Sequence, residues 1–492
     1  MLVLGIDVGT SAIKVSVVDI ATTKTIITVQ YPDSERDIKS LQPGWAEQSP
    51  IQWWSDVKQA ILKANAANKY NPKDIKAIGI AYQMHGLVCI DKEKKVLRDS
   101  IIWCDSRAVQ IGNDAFQKIG TEKSLSHLLN SPGNFTASKL AWVKQNEPAI
   151  YSKIDKIMLP GDYIALQFTG EVSTTAAALS EGVFWDFKNN ELSKDVLDHF
   201  GFDRSLIPEI KDVFTEHGKL LPAIANELSF TAGIPVAYKA GDQPNNALSL
   251  NVLQPGEVAA TAGTSGVIYA VSDQPAYDNQ SRVNSFAHVN YTATEKRTGV
   301  LLNINGTGIL NRWLKNIAGA GFSYKQMNDA AATIKPGSDG LFILSFGNGA
   351  ERMLNNKILN AHVQNIDFNR HSNAHLFRAA QEGIAFALRY GFDIMRENGI
   401  QPSVIRAGKA NMFLSPVFTE AFVNATQTAV EFYETDGSKG AAIGAGIGAG
   451  IYSSAKEAFS NFHSTEKVEP QQKDLYNDLY QQWKSILLKQ LN

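Results

Sequence analysis

The chain has 492 residues, of which 44% are hydrophobic and 20% charged, and its formal net charge is −2. This length predicts about two to four domains rather than one core. The balanced charge gives no electrostatic reason to expect binding to nucleic acid or to an anionic membrane. Two cysteines, Cys89 and Cys104, exclude a disulfide framework and a four-cysteine metal site, and their apolar surroundings predict buried thiols.

No secretory signal is predicted, because Met1 leads straight into an apolar run without a basic segment. The small-residue stretch at residues 440–451 falls short of the roughly 20 residues that a membrane span needs. Its glycines would be costly in an exposed helix, so they predict a buried helix in close contact with neighbouring backbone. The expected location is cytoplasmic.

The N-terminus predicts a β-hairpin with a polar turn. An apolar run over residues 2–8 leads into the turn Gly9-Thr10-Ser11, and a second apolar run follows. The turn offers N–H groups and hydroxyls to an anion and a carboxylate to a divalent cation. The candidate ligands are Asp7, Thr10, Ser11 and Lys14. The alternative is an ordinary hairpin whose polar residues satisfy their own turn.

Strands and helices alternate along the rest of the chain, which predicts an α/β fold. A strand is predicted over residues 75–81, and helices over residues 51–65, 139–150, 192–200, 375–397, 416–428 and 437–453.

A second hairpin with a Gly-Thr-Ser turn is predicted over residues 258–271. Its recurrence predicts a duplicated fold with two facing phosphate loops, although two common hairpins could also be alike by coincidence. The boundary is expected near residues 245–255, which gives domains of 1–247 and 248–492.

Three polar segments follow predicted strands. Asp242 stands after a strand and a glycine, where it could accept a proton from a hydroxyl or cap a helix. His85, in Gln83-Met84-His85-Gly86, could donate a hydrogen bond to a polyhydroxy ligand or simply pack. Asp105 could line a site or form a local ion pair with Arg107.

Two glycine-containing segments, at residues 306–313 and 407–411, precede predicted helices and could meet a nucleotide. Neither has the P-loop pattern, and no Rossmann glycine fingerprint follows the first strand. The sequence also has no evident His/Cys metal cluster or nucleophile elbow.

In this order the segments resemble the FGGY carbohydrate kinases, a branch of the actin/hexokinase/Hsp70-type ATPase superfamily. The resemblance runs essentially end to end. It is carried by the two turns at residues 5–11 and 263–266, a first family signature at 136–148, a central C-terminal region at 339–341, 349–352 and 382–389, and a closing segment from 436. It implies two duplicated actin/hexokinase-like (ribonuclease H-like) α/β domains with an interdomain cleft.

The resemblance also implies roles for individual residues. Asp242 would be the catalytic base, and Asp7 and Asp242 would hold Mg²⁺. The expected sugar contacts are Met84, His85, Asp105, Asp242 and Gln243. The expected ATP contacts are Thr10, Ser11, Lys14, Gly263, Thr264, Gly308, Arg312, Gly408 and Asn411. A small-molecule sugar and ATP are the expected partners, with no nucleic acid and no membrane, and a homodimer is left open.

Within the family, Gln83-Met84-His85-Gly86 and Trp103-Cys104-Asp105-Ser106-Arg107 are similar to motifs of the xylulokinase subgroup, which implies phosphorylation of D-xylulose to D-xylulose 5-phosphate. Gln243 departs from the usual Asn and is more like glycerol kinase. The usual glycine-rich adenosine loop is reduced at residues 407–411, and Asn365 and Gln381 depart from the second family signature.

Other acceptors therefore stay open, namely glycerol, ribulose and gluconate. A non-catalytic sugar- or nucleotide-binding regulator is a further alternative, which the retention of both Asp7 and Asp242 argues against. An actin-like or chaperone ATPase is another, and the sugar-type segment at residues 83–86 argues against it.

Overall fold

The computed structural model describes residues 1–491. The strands, in chain order, are β1 (Leu2–Val8), β2 (Ile13–Asp19), β3 (Thr25–Tyr31), β4 (Glu47–Gln48), β5 (Ile75–Tyr82), β6 (Val88–Ile90), β7 (Ser100–Ile101), β8 (Lys156–Met158), β9 (Ser173–Thr175), β10 (Trp185–Asp186), β11 (Glu191–Leu192), β12 (Glu209–Lys211), β13 (Val236–Gly241), β14 (Glu257–Ala262), β15 (Gly266–Ser272), β16 (Asn284–Ala287), β17 (Thr298–Ile304), β18 (Phe342–Leu344), β19 (His362–Gln364), β20 (Val404–Gly408), β21 (Val430–Tyr433) and β22 (Glu466–Val468).

The helices, in chain order, are α1 (Pro50–Ala66), α2 (Val109–Ile119), α3 (Thr121–Leu128), α4 (Thr136–Asn146), α5 (Pro148–Tyr151), α6 (Pro160–Thr169), α7 (Ala176–Glu181), α8 (Lys194–Phe200), α9 (Pro222–Glu227), α10 (Asp242–Ser249), α11 (Gly308–Ile317), α12 (Tyr324–Ala332), α13 (Asn373–Glu397), α14 (Pro416–Thr426), α15 (Gly437–Gly448), α16 (Ala455–Ala458) and α17 (Lys473–Leu491). Strands and helices interleave in both halves of the chain, so the α/β prediction is confirmed.

The first large sheet has five strands in the order β13-β5-β1-β2-β3. β1 and β2 form the predicted N-terminal hairpin, in which Asp7 lies directly opposite Lys14. β5 and β13 continue the sheet as parallel strands. The apolar residues of β1 are buried on both sides of the strand, because helices cover both faces of the sheet.

The second large sheet has seven strands in the order β16-β17-β15-β14-β20-β21-β22. Its central strands are arranged as in the first sheet. A hairpin, β14–β15, is extended on one side by antiparallel β17 and on the other by parallel β20 and β21. β1–β2 is flanked in the same way by antiparallel β3 and by parallel β5 and β13. The predicted duplication is therefore confirmed, and the two Gly-Thr-Ser turns occupy equivalent places.

Two helices, α10 and α15, lie between the large sheets. α15 packs on β1, β5 and β13, and α10 contacts both α15 and the hairpin β14–β15. A Cβ atom on Gly5 would come within 1.8 Å of the Ser438 carbonyl oxygen, and one on Gly79 within 2.0 Å of the Ala441 carbonyl oxygen. The close contact predicted for residues 440–451 is thus confirmed, and it depends on glycine in the sheet as well as in the helix.

Several predicted details differ from the structure. The helix predicted over residues 139–150 is two helices, α4 and α5, because Pro148 lacks the N–H that a continuous helix would need. α14 and α15 end at Thr426 and Gly448, short of the predicted ends. Cys89 is buried as predicted, but Cys104 is exposed. Within residues 1–491, no helix has both the length and the apolar character for crossing a membrane.

Candidate active site

Four of the predicted sugar-binding residues line one cavity of about 610 Å³ in the cleft between the two halves. Met84 and His85 follow β5, and Asp242 and Gln243 follow β13, so neighbouring parallel strands bring them together. The second half of the chain supplies the facing wall, which includes Thr264, Ser265, Asn284, Asn303, Asn305, Asn348 and Arg352. A ligand in this cavity would therefore touch both halves.

Asp242 directly follows β13 and is the first residue of α10. Burial and, next, the negative charge of Asp7 raise the pKa of its carboxyl to about 7, against the lowering effect of hydrogen bonds from Gln243. A carboxylate with a pKa near neutrality is suited to accept a proton from a hydroxyl. Gly241, not Asp242, occupies the cap position of α10, so helix capping does not explain the acid.

Asp7 lies at the end of β1 against the first turn of α15. A Cβ atom on Gly437 would be 2.4 Å from Asp7 Oδ2, so only glycine leaves room for this carboxylate. Burial raises the pKa of Asp7 to about 6, with Lys14 lowering it and Asp436 raising it. Within residues 1–491, no group of three or more His, Cys, Asp or Glu side chains is arranged to hold a metal ion.

His85 is held in the left-handed backbone region, with φ of 63°, by three hydrogen bonds. Its backbone N–H donates to Glu181 Oε2 at 3.2 Å, its Nδ1 lies 2.8 Å from the Glu181 carbonyl oxygen, and its own carbonyl accepts from Lys139 Nζ at 2.8 Å. A carbonyl can only accept, so Nδ1 carries the proton. Burial, with a contribution from the positive charge of Lys139, lowers the pKa of His85 to about 3.

The neutral His85 ring therefore presents Nε2 as a hydrogen-bond acceptor. The sequence suggested a donor at this position, and the structure corrects that expectation. An acceptor on the cavity wall suits the hydroxyl of a sugar.

Asp105 is not among the residues that line the cavity. Its side chain is fully buried, accepts the backbone N–H of Ala46 at 2.6 Å and pairs with Arg107 at 2.7 Å. Arg107 also lies 3.9 Å from the centre of the Trp45 ring. The structure shows the alternative, a local ion pair with Arg107, and the sugar contact expected for Asp105 stays a prediction.

A second cavity, of about 320 Å³, lies beside the first. It is lined by five of the residues predicted to bind ATP: Gly263, Thr264, Gly308, Arg312 and Asn411. Thr264 lines both cavities, so the two spaces meet at the second Gly-Thr-Ser turn. This turn is tied to α11, because the backbone N–H of Gly308 donates to the Gly263 carbonyl at 2.9 Å.

Gly408 is not among the residues that line the second cavity. It ends β20, and a Cβ atom added there would meet no atom within 4 Å. The contact expected for Gly408 therefore has no support in the structure, whereas Asn411, three residues later, lines the cavity.

Gln381, which departs from the family signature, lies directly beneath the second cavity. It is fully buried, accepts from Ser415 Oγ at 2.6 Å and donates to Asn328 Oδ1 at 3.1 Å. Ser415 and Asn328 both line the cavity. The polar side chain therefore fixes two wall residues, where an apolar one would leave their buried groups unpaired.

The first Gly-Thr-Ser turn is linked to the first cavity through Trp103. Thr10 Oγ1 donates to Gln83 Oε1 at 3.2 Å and accepts from Trp103 Nε1 at 3.0 Å, and Gln48 Nε2 donates to the Thr10 carbonyl at 2.8 Å. The three candidate ligands Thr10, Ser11 and Lys14 line neither cavity. Their roles toward ATP stay predictions.

Several residues at the site were not singled out in the sequence. Trp103 and Arg352 line the first cavity and stand within segments that carried the family resemblance. Asn134 and Phe135 also line it, just before α4. Glu181 and Lys139 reach the site through hydrogen bonds to the backbone and ring of His85. No local sequence pattern marks them, because their role depends on contacts across 96 and 54 positions.

The comparisons with known proteins agree with this arrangement. The family model for the N-terminal domain of the FGGY family of carbohydrate kinases matches residues 2–249, and the model for the C-terminal domain matches residues 258–451. The chain belongs to the FGGY family of carbohydrate kinases. It is therefore a carbohydrate kinase, and ATP is the phosphoryl donor of this FGGY family.

Individual proteins similar to this FGGY kinase are named as sugar or gluconate kinases. A xylulose kinase from Escherichia coli (strain K12) is 29% identical over 452 residues, which cover 90% of this chain and 88% of that protein. The structure of a xylulose kinase from Brucella ovis has a TM-score of 0.88 at 26% identity and covers all of both chains. A gluconate kinase from Lactobacillus acidophilus has a TM-score of 0.90 at 21% identity, covers 100% of this chain and 98% of that one, and shows the shared fold.

Proposed function

We propose that this FGGY kinase transfers the γ-phosphoryl group of ATP to D-xylulose and forms D-xylulose 5-phosphate. The observation that carries the proposal is the cavity in which Met84 and His85 face Asp242 and Gln243. The similarity to the E. coli xylulose kinase over 90% of this chain points to the same acceptor.

Asp242 is the proposed base. Its carboxylate would take the proton of the attacking sugar hydroxyl, and its pKa of about 7 leaves it partly ionised at neutral pH. Thr264 lines both this cavity and the neighbouring one, which supports a path of the phosphoryl group past the second Gly-Thr-Ser turn. Phosphoryl transfer requires mainly alignment and charge stabilisation, so this juxtaposition is the main contribution of the fold.

Mg²⁺ fits the first turn. Asp7 and Asp242 both have raised pKa values, and the charge of Asp7 acts on Asp242, so the two carboxyls lack sufficient positive charge around them. Mg²⁺ keeps several waters and prefers one or two carboxylates together with substrate phosphates. Asp7 and Asp242 would hold the ion, and the bound ion would neutralise charge on the transferring phosphoryl group.

Neutral His85 would accept a hydrogen bond from a sugar hydroxyl through Nε2. Glu181 and Lys139 fix the ring and its unusual backbone, so little reorganisation would be needed when the sugar binds. Gln243 would donate or accept at the hydroxyl next to the reacting one.

The test is ADP release measured with ATP, Mg²⁺ and a panel of acceptors: D-xylulose, D-ribulose, L-ribulose, L-fuculose, glycerol and gluconate. D-xylulose should have the highest kcat/KM. Asp242→Asn should lower kcat by about 10²–10⁴-fold, the usual contribution of a general base, with sugar and ATP affinities close to wild type. His85→Ala should lower kcat/KM for the sugar and leave the KM for ATP within about twofold.

The panel separates the alternatives. A tenfold higher kcat/KM for glycerol or gluconate, about 1.4 kcal/mol of preference in the other direction, would replace D-xylulose as the acceptor. Sugar and ATP binding without turnover for any acceptor would instead identify a binding regulator. Near-normal turnover by folded Asp242→Asn would refute the assignment of the base.

A further inference from the structure

Arg352 lines the sugar cavity without an acidic partner. No carboxylate within residues 1–491 lies within salt-bridge distance of its guanidinium, whose Nη1 donates to the Ser281 carbonyl oxygen at 3.4 Å. The nitrogens Nε and Nη2 have no protein partner in that range and are not sealed from solvent. A guanidinium stays charged at any working pH and favours paired contacts to oxygen. The cavity wall therefore carries an unmatched hydrogen-bond donor.

The backbone that carries Arg352 is fixed by its neighbours. Glu351 is fully buried and accepts the backbone N–H groups of Asn305 at 3.0 Å and of Gly306 at 3.1 Å. Met353 and Leu354 are buried in the core of the second half. Only the side chain of Arg352 leaves this anchored turn, and it enters the cavity.

Arg352 and His85 line the same cavity from opposite halves of the chain. The charge of Arg352 is one of the influences that lower the pKa of His85, after burial and the charge of Lys139. The main charge acting on Asp242 is instead that of Asp7. Arg352 therefore lies close enough to His85 for its charge to act on that ring, and both side chains line the same cavity.

The two side chains offer complementary hydrogen bonds. Arg352 can only donate, and neutral His85 can only accept through Nε2. A ligand that satisfies both needs an oxygen acceptor beside a hydroxyl. The hydroxyketone end of a ketose has this pair, with its carbonyl for Arg352 and its hydroxyl for His85. A polyol has only hydroxyls there and is a weaker acceptor.

We propose that Arg352 binds the carbonyl oxygen of the ketose at the end remote from the phosphorylated hydroxyl, and so makes the site selective for ketoses over the corresponding polyols. This proposal rests on the proposed function, because it places the ketose in the same cavity. It gives the second half of the chain a direct part in sugar recognition. A site built to pair a given group rejects the analogue that lacks it.

The experiment compares D-xylulose with xylitol, which has the same carbon chain with the carbonyl reduced. The kcat/KM for D-xylulose, the inhibition constant of xylitol and the KM for ATP are measured for wild type, Arg352→Met and Arg352→Lys. Arg370→Met is the matched control, because Arg370 is an exposed arginine on the second half. The melting temperature of every variant is recorded.

Arg352→Met should lower kcat/KM for D-xylulose about 10–100-fold, mostly through KM, as expected for a lost hydrogen bond to a charged group. The xylitol inhibition constant should change less than about threefold, and the KM for ATP should stay the same. Arg352→Lys should recover part of the loss, since it keeps the charge without the paired donors. Arg370→Met should match wild type in every measurement.

Equal losses for D-xylulose and xylitol, or a loss accompanied by a lower melting temperature and a higher KM for ATP, would make Arg352 structural and overturn the proposal. An unchanged kcat/KM would also overturn it. If wild type does not phosphorylate D-xylulose, the proposed function fails separately, and Arg352→Met is then measured with the best acceptor of the panel. A selective loss with another ketose would support the role of Arg352, and an aldonate or a polyol as best acceptor would refute it.

Discussion

The turn after β1 and the turn after β14 have the same Gly-Thr-Ser sequence in equivalent hairpins, but their surroundings differ. Three positions before the threonine, the first hairpin has Asp7 and the second has Thr261. The hydroxyl of Thr10 is engaged by Gln83 and Trp103, whereas the exposed Thr264 borders both cavities. One hairpin thus supplies charge and joins the cavity proposed for the sugar, and the other supplies an open hydroxyl between that cavity and the one proposed for ATP.

This difference shows how a duplicated fold can acquire two functions. The backbone of the hairpin is preserved, because its strands are buried in both sheets. The side chain at one position and the elements that pack against the turn decide what each copy does. Substitutions that make one turn resemble the other should therefore affect different steps.

The largest effect is expected for Asp7→Thr, which gives the first turn the residue of the second. Turnover should fall at least about a hundredfold, because charge stabilisation by a bound metal is worth several kcal/mol. The Mg²⁺ concentration for half-maximal rate should rise in a Mg²⁺ titration. Thr261→Val is the matched change in the other hairpin and should leave this concentration unaltered. An unchanged Mg²⁺ requirement in Asp7→Thr would mean that the two turns do not differ in this way.

Gly308→Ala should act on the nucleotide side alone. A Cβ atom there would lie 2.3 Å from the Gly263 carbonyl oxygen, so the second turn has to move away from α11. The KM for ATP should rise about tenfold, which corresponds to about 1.4 kcal/mol, with the KM for the sugar within about twofold. Steady-state kinetics with each substrate varied would measure this. A larger change for the sugar than for ATP would contradict the separation.

Gly408→Ala is the useful comparison for Gly308→Ala, since the added methyl group at Gly408 meets open space. It should leave the KM for ATP near wild type. A tenfold rise in the KM for ATP would instead support the nucleotide contact that the sequence predicted for Gly408.

The negative charge of Asp7 should also affect the pH profile of the reaction, because it raises the pKa of Asp242. Asp242 has a pKa of about 7 and must be ionised to act as a base, so kcat/KM should fall about tenfold between pH 8 and pH 6. Removing the negative charge of Asp7 favours ionisation of Asp242, so in Asp7→Thr the midpoint should move to lower pH. Residual activity of that variant suffices to measure the shift. A midpoint that stays in place or moves up would contradict the coupling.

The smallest effect is expected for the threonines of the two turns. Thr10→Val removes two hydrogen bonds and should destabilise the protein by about 1 kcal/mol, which corresponds to about 1–2 °C in Tm for a chain of this length. Thr264→Val should leave Tm unchanged and raise the KM for ATP, because its hydroxyl has no protein partner within residues 1–491. Thermal unfolding with and without ATP would distinguish the two. Equal shifts in Tm would show that both hydroxyls have the same role.

Much of this fold follows from local patterns. Both hairpins, the strand β5 and the long helix α13 are predicted by the period of their apolar residues, because each buries a face or a whole strand in a sheet or core. The helix boundaries are less predictable. α14, for instance, ends where Gln427 adopts a left-handed conformation, with φ of 58°, that its side chain does not predict.

The residues of the site also differ in how well local sequence predicts their position. Asp242 and His85 were identifiable because they follow strands, where polar residues gather at one sheet edge. Asp105 follows a strand too, yet it is sealed by Arg107 and by the N–H of Ala46, which comes from a distant segment. The same local pattern, a polar residue after a strand, therefore precedes both cavity-lining and buried residues. Only the packing of distant segments distinguishes the two cases.

The sequence by itself determined the two hairpins, the order of the elements and the residue types of the first turn, because these depend on side-chain periodicity and on turn chemistry within a few positions. Only the tertiary structure decided the tautomer of His85, the burial of Asp105 and the entry of Arg352 into the sugar cavity. Each of these depends on contacts between segments far apart in the chain. Burial then sets hydrogen bonding and charge by removing water, which no single segment can do alone.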